Sequence, residues 1–249
     1  MCCIQKDNML VWQNGIVKEV IIQTHNTRSF IIEAAETPVF DFIPGQFVTL
    51  DLPISERPSQ RMRSYSIASA PFGNNLFELL ISHKEGGLGS TYLFEQAVPG
   101  ASLKFRGPAG KFVLPDTLER PLVMISTGTG IAPFRSQILH LLHHNIATPE
   151  IHLVFGTRKE SDILYHKEFL ELALKYPHFK YHVALSRHES HEWSGAKGYV
   201  HDVYDAICEH GKRDMDFYLC GWRNMVNDAK MRIADLGYEK ERVHLEVYD

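Results

Sequence analysis

The run RMRSYSIASA, residues 61–70, brings together three side chains of complementary chemistry: Arg63, Tyr65 and Ser66. An arginine fork grips a phosphate through paired hydrogen bonds, a phenol ring lies flat against a planar heterocycle, and a hydroxyl bonds the edge of such a ring. In a strand, alternate residues share a face, so Arg63 and Tyr65 project together while Ser66 points away unless the backbone bends. An arginine and a tyrosine are an unusual pair to bury without a ligand between them.

Two glycine-rich turns supply what a phosphate needs. In STGTGIAPFRS, Gly128 and Gly130 allow close backbone approach, and Pro133 is tolerated in a first helical turn, where its missing N–H costs nothing. The free amides of that turn face an incoming pyrophosphate. The pattern is not G-x-G-x-x-G, because Pro133 stands where the third glycine belongs. In HKEGGLGSTYL, Gly86, Gly87 and Gly89 precede a helix start, which favours a second phosphate by the same physics. Plain reverse turns account for either one alone. Two such turns in different halves of the chain imply two nucleotide-like molecules meeting at a cleft between two domains, and the flat ring against Tyr65 can be a flavin.

The elements that must carry these residues fall into two groups. Between residues 13 and 113, short apolar runs such as GIVKEVIIQ, SFIIEAA, QFVTLDL and LFELLIS alternate with turn signals at Pro44-Gly45, Gly73-Asn74-Asn75 and Pro99-Gly100. That is the pattern of an antiparallel barrel or sandwich. A single short helix is predicted there, STYLFEQAV at residues 90–98, opened by Ser90 or Thr91 as a cap. Beyond VLPDTLERP, apolar strands LVMIST, IHLVFG, YHVALS, DFYLCG and VHLEV alternate with stretches of helical period. Phe134, Ile138, Leu141 and Leu142 form one such stripe, Val200, Val203, Tyr204 and Ile207 a second, and Val226, Ala229 and Ile233 a third. Strand–helix repetition implies a parallel sheet with helices on both faces. The boundary falls near Leu118 to Pro121, giving domains at 1–117 and 118–249.

Composition narrows the partners. With 249 residues, 44% hydrophobic and 22% charged, the chain is a folded protein with room for two domains. A net charge of -4 argues against nucleic acid as the main partner. The start MCCIQKDNMLVW lacks a cationic segment followed by an apolar run, and no stretch approaches the roughly 20 apolar residues of a membrane span, so a cytoplasmic protein off the membrane is expected. The four cysteines, Cys2, Cys3, Cys208 and Cys220, do not provide the spacing of a plant-type iron–sulfur cluster. Cys2 and Cys3 read as part of an exposed, disordered start. Among fourteen histidines, His140, His143 and His144 share one helix, but no carboxylate or cysteine pattern stands beside them, and no metal site is expected.

In chain order, GQF, RMRSYSIAS, GGLGS, GPAGKF, GTGIAPFRS, FGTR, LSR, KGYV, CGW and the closing EVY resemble the plant-type ferredoxin-NADP reductase superfamily over nearly the whole chain. The resemblance implies an N-terminal antiparallel Greek-key barrel that holds FAD and a C-terminal doubly wound parallel α/β domain that holds NAD(P). It also implies an enzyme that passes hydride from nicotinamide to flavin N5 and then single electrons to a separate carrier of the ferredoxin or flavodoxin type, or to a small acceptor. By matching motif positions, Arg63, Tyr65 and Ser66 are flavin contacts, with Gly87, Ser90 and Thr91 at its phosphates. Thr127, Gly128, Thr129, Gly130 and Pro133 hold the dinucleotide, together with Arg158. Ser66, Cys220, Glu246 and Tyr248 form the catalytic set, Tyr248 covering the flavin face; Asp249, which follows it, departs from the family pattern. Small buried residues at a strand end and an aromatic docking the C-terminus are the bland alternatives for Cys220 and Tyr248.

Ser186 and Arg187 match the place where NADP-dependent members bind the 2'-phosphate, and arginine suits that group, so NADPH is favoured over NADH. Lys197 and Tyr199 are expected at phosphate and adenine. HEWSGAKGYVHD nevertheless resembles NADH-using reductases of bacterial oxygenases. Lys84, Lys104, Arg106 and Lys111 can face an acidic carrier or serve as solvated strand charges. Other readings are a free flavin or ferric reductase, an oxygenase reductase component, and a regulatory or assembly module that binds flavin without turnover.

Overall fold

The structure of the protein is a computed structural model describing residues 11–188 and 193–248. Cys2, Cys3 and Asp249 lie outside the described residues, as do the first two positions of HEWSGAKGYVHD. The chain forms two compact units: the first runs to Val113 and includes Arg135–His140, and the second comprises Leu114–Phe134 and the chain from Leu141 onward.

The first unit holds β1 (Gln13–Thr24), β2 (Thr27–Ala34), β3 (Phe47–Asp51), α1 (Pro58–Arg61), β4 (Met62–Ser66), β5 (Leu76–Ser82), α2 (Leu88–Gln96) and β6 (Ser102–Ala109). Its strands are ordered β4-β3-β6-β1-β2-β5, with antiparallel pairing throughout. An antiparallel bridge between Ile67 and Leu79, with the Ala68 N–H donating to Glu78 O at 2.8 Å, joins the two ends of that order and closes the barrel. Closure removes the exposed edges that an open sheet would offer to other chains. Alternation does the sorting along β6, where Leu103 and Phe105 are buried while Lys104 and Arg106 face out. Phe40, Phe77 and Phe105 meet in the core with ring centroids 4.9 to 5.5 Å apart. Each such buried ring contributes about 1.5–3 kcal/mol relative to an exposed one.

Helix α2 begins two residues earlier than the sequence pattern predicts, with Gly87 as its N-cap rather than Ser90 or Thr91. The Ser90 hydroxyl explains the difference. It accepts the Lys84 N–H at 3.0 Å and donates back to Gly87 O at 3.1 Å, so it closes the preceding turn instead of capping the helix.

The elements that follow are β7 (Leu122–Thr127), α3 (Ile131–His143), β8 (Ile151–Thr157), α4 (His166–Lys175), β9 (Phe179–Leu185), β10 (Ala196–Lys197), α5 (Val200–Ile207), β11 (Asp216–Trp222), α6 (Arg223–Asp235) and β12 (Val243–Tyr248), all in the second unit except the Arg135–His140 part of α3. All strand pairs of the second unit are parallel, in the order β10-β9-β8-β7-β11-β12. The chain builds outward from β7 to β10, then returns to place β11 on the other side of β7. The carboxyl ends of β7 and β11 therefore flank the point where strand order reverses, where open α/β sheets bind ligands. Phe134, Ile138, Leu141 and Leu142 are all buried, and Val226, Ala229 and Ile233 pack in one core cluster with Val123, Ile125, Phe217 and Leu219 of the sheet, as the helical spacing of that stripe requires. Among the described residues, no helix is long and apolar enough to cross a membrane.

A histidine pair in this unit gives its stability a pH dependence. His152 on β8 and His182 on β9 stack with ring planes 14° apart, Nδ1 of the first lying 3.1 Å from Nε2 of the second. His152 Nε2 also stands 3.0 Å from Glu150 Oε2, which pairs with Arg213 Nη2 at 2.7 Å. Burial pushes both imidazoles down, His182 to about 4; Lys180 adds repulsion at both, His152 at His182 and Arg213 at His152, while Glu150 opposes the shift. Both groups favour the neutral form when folded. Their contribution is thus fully present above the unfolded pKa of about 6.5 and is lost as pH falls from there toward 4. Denaturant midpoints measured at pH 7 and pH 5 are expected to fall on acidification, and His182→Phe is expected to flatten most of that fall. An equal slope in the variant would show that the pair is not responsible.

Candidate functional site

In the first unit, strand register decides where the RMRSYS side chains go. Arg63 pairs with Leu50 and Tyr65 with Val48, both fully buried core residues, so Arg63 and Tyr65 share the inward-facing side of β4. Tyr65 packs one side against the barrel core and keeps part of its surface accessible. Burial pushes its phenol up to about 12, with the Arg63 charge opposing the shift, so the ring stays neutral over the working range. Ser66 ends the strand and is buried.

The glycine turn before α2 meets this strand at Arg63. A methyl group at Gly89 would stand 3.0 Å from Arg63 Nε and 3.1 Å from its Cγ, so the first turn of α2 lies directly over the arginine stem. Backbone carbonyls of Gln60 and Met62 hold Arg63 Nη1 at 2.9 and 2.8 Å. A guanidinium is thereby fixed beside the amino end of a nine-residue helix, and the two positive ends add. Gly87 sits at the cap, Ser90 spends its hydroxyl inside the loop, and Thr91 Oγ1 lies 3.4 Å from His83 Nε2. Helix amides together with Arg63 make a donor set whose chemistry suits an anion.

The second unit presents two rows of side chains across neighbouring strands. Ser126 of β7, Cys220 of β11 and Glu246 of β12 are in register, and two residues further on Trp222 is in register with Tyr248. Cys220 is fully buried; burial and the nearby Glu246 carboxylate push its thiol well above the usual range, against a hydrogen bond from Tyr248 that lowers it. It is therefore a neutral thiol and not poised for nucleophilic attack. Ser126 Oγ is buried without a hydrogen-bond partner in the structure, an acceptor and donor left open at the end of β7.

Beyond β7 the chain turns through Gly128 at φ +55° and Gly130 into α3, with Pro133 buried in the first turn. A side chain at Gly130 would collide with the Cys220 carbonyl, so the glycine is required for the turn to approach β11. Thr127 Oγ1 accepts the Trp222 N–H at 3.2 Å and ties the two strand ends together. Thr129 completes the turn, half-buried.

A cationic group gathers at the ends of β8, β9 and β10. The Arg187 N–H donates to Arg158 O at 2.9 Å, and the Ser186 N–H to Thr157 O at 3.0 Å. Lys197 is in register with Leu185, and Tyr199, next to it in the loop, is 71% exposed. Arg158, Arg187 and Lys197 are all exposed at this edge.

Residues 14–114 match the oxidoreductase FAD-binding domain family and residues 124–231 the oxidoreductase NAD-binding domain family. A ferredoxin–NADP reductase B from Sorangium cellulosum is 35% identical over 228 residues, covering 89% of this chain and 91% of its own. The chain belongs to the ferredoxin–NADP reductase superfamily. The glycine betaine monooxygenase reductase subunit of Pseudomonas aeruginosa is 31% identical over 95% of the chain, which spans 65% of that longer relative. Among solved structures, the cytochrome P450 reductase GcoB of Amycolatopsis superposes with a TM-score of 0.84 at 27% identity, over 95% of this chain and 69% of that one.

This member of the superfamily is an FAD- and nicotinamide-nucleotide-dependent oxidoreductase, and its own geometry fits both groups. At Gly89 a side chain would press on the Arg63 stem, and at Gly130 it would collide with the Cys220 carbonyl, so both turns keep their backbone amides uncovered by a side chain at those positions, as a phosphate group requires. Two features escaped the sequence reading. Trp222, the aromatic of CGW, lies over the GTG turn, and its position directly after the Cys-Gly pair was the available signal. Arg135, the arginine of PFRS, donates to Glu78 Oε2 at 2.8 Å and to Ala68 O at 2.9 Å, a pairing that no local pattern announces.

Proposed function

We propose that the protein takes reducing equivalents from NADPH and delivers them singly to a separate carrier of the ferredoxin or flavodoxin type, with residues 1–117 holding FAD and 118–249 the nicotinamide nucleotide. The observation that carries the NADPH assignment is the exposed Arg158, Arg187 and Lys197 set beside Tyr199 at the ends of β8 to β10. A 2'-phosphate carries charge that two guanidinium forks and an ammonium are built to hold, whereas an unphosphorylated ribose has no use for them.

Bound FAD supplies the redox chemistry, accepting a hydride from reduced nicotinamide and releasing electrons one at a time. The chain supplies position. Arg63 and the first turn of α2 hold the diphosphate, Tyr65 gives a neutral aromatic face, and Ser66 hydrogen-bonds the ring edge. Thr127 to Gly130 and Pro133 seat the dinucleotide on the amides of α3, while Ser186 and Arg187 hold the 2'-phosphate. Cys220, as a neutral thiol, packs beside the nicotinamide with Glu246 and Tyr248 in the adjacent strand. Productive contact distance is what these residues set, and it carries most of their effect on rate.

The carrier is read from charge. Although the whole chain is acidic, Lys104 and Arg106 stand on the outer face of β6 with Trp12 between them, 5.2 and 5.0 Å from its ring, and Lys84 and Lys111 are exposed. Such a basic face steers an acidic electron carrier. Reductase components of oxygenases are the second reading, supported by the name of the Pseudomonas relative.

Anaerobic stopped-flow reduction with NADPH and with NADH, followed by mixing with an oxidised [2Fe-2S] ferredoxin, a flavodoxin and ferric citrate, tests both points. NADPH is expected to saturate at lower concentration than NADH, and Arg187→Ala is expected to raise KM for NADPH by about ten-fold or more while leaving NADH unchanged, as the loss of one charge-assisted fork predicts. Equal effects on the two nucleotides would remove the NADPH assignment. Electron delivery faster to ferric citrate than to either protein would remove the carrier.

A further inference from the structure

We propose that Trp222 contacts the bound dinucleotide directly, its indole N–H donating to the pyrophosphate and its exposed face covering the adjoining ribose. The inference rests on the nucleotide site of the second unit being used as described above. Three independent features of this chain place the side chain there.

Trp222 is 64% exposed, so most of a large apolar ring stands in water. Burying it against a ligand would recover hydration free energy that the unliganded fold leaves unused. Its direction is fixed: the backbone is in register with Tyr248, the amide is held by Thr127 Oγ1 at 3.2 Å, and a side chain at the preceding Gly221, φ +142°, would collide with Thr127. Finally, a methyl group at Gly128 would lie 3.3 Å from the indole Nε1, so the ring's single donor atom stands beside the first residue of the glycine turn. Trp222 is the N-cap residue of α6 but makes no side-chain cap hydrogen bond, so capping does not account for where its indole stands.

The test uses FAD-loaded full-length protein. Trp12→Phe and Trp193→Phe together leave Trp222 as the sole tryptophan of the three in the chain. Its emission is then followed on titration with NADP+, NAD+ and AMP, the last lacking the pyrophosphate bridge. Emission is expected to change saturably with either dinucleotide and to stay flat with AMP. Trp222→Phe, which keeps the face but loses the N–H, is expected to weaken dinucleotide binding about ten-fold, as the loss of one hydrogen bond to a charged group implies, and Trp222→Ala, which loses the face as well, by a larger factor. Flavin content should match the wild type in both.

A wild type that binds dinucleotide while Trp222 emission stays unmoved, or an alanine variant that binds as tightly, would overturn this proposal and leave the site intact. An equal response to AMP would move the contact to the adenosine end and overturn the assignment to pyrophosphate. A wild type that binds neither dinucleotide would bring down the nucleotide site itself, and this inference with it.

Discussion

Arg63→Ala is expected to yield protein that loses its yellow colour on desalting, while wild type keeps it. The guanidinium is held by two carbonyls and lies against Gly89 at the amino end of α2, so it is preorganised before any anion arrives. Each hydrogen bond to a charged group is worth about 1.5–3 kcal/mol, and a fork makes two, so FAD affinity should fall by roughly 100-fold to 10,000-fold. Lysine at the same place is expected to recover only part of that, because it offers a point charge without the fork. Gly89→Ala should act in the same direction and less strongly, since the methyl would push on the flexible arginine stem and not on backbone. Ser66→Ala makes the useful contrast. It removes a buried hydroxyl at the end of β4, so flavin content should stay near wild type while reduction by NADPH slows. Flavin fluorescence in the desalting filtrate measures the first effect and anaerobic flavin bleaching the second. An Arg63→Ala protein that stays fully yellow would remove the diphosphate from this cradle.

Much of this was legible in the sequence because it is local. Period-two apolar runs between Pro-Gly and Gly-Asn turns mark the barrel strands, and stripes such as Val226, Ala229 and Ile233 mark helices that pack on the parallel sheet. GTG after the first strand of the second half is likewise readable, because turn geometry follows from residue type. What was not legible depends on partners far along the chain. The Ser90 hydroxyl looked like a cap until Lys84 claimed it. Gly89 matters through Arg63, and Trp222 through Gly128, distant residues that only tertiary packing brings together. The two-residue strand β10 carries no apolar run of its own and exists only because β9 offers an edge.

Arg135→Ala is expected to be among the most destabilising single substitutions in the first unit, with which Arg135 is grouped. Its side chain is 12% exposed and that of Glu78 9%, and the two meet at 2.8 Å. Removing the cation takes the guanidinium away from a largely buried carboxylate, at a cost of about 3–5 kcal/mol. The melting temperature should drop on the order of 10 °C for a chain of this size. Function should follow, because the same side chain holds the Ala68 carbonyl and the neighbouring Ser136 hydroxyl donates to Ser69 O at 2.6 Å, immediately beyond Ser66. A loosened exit from β4 would let Ser66 drift, so flavin reduction should slow even at temperatures where the variant is folded. The paired replacement Arg135→Met with Glu78→Leu separates charge from packing. It leaves no orphaned ion and should recover most of the lost stability, yet it does not restore the bond to Ala68 O, so reduction should remain slow. Thermal melts of the single and paired variants, read beside anaerobic reduction rates, decide the matter: a single variant within about 1 kcal/mol of wild type, the range of an exposed pair, would mean that the ion pair is solvated.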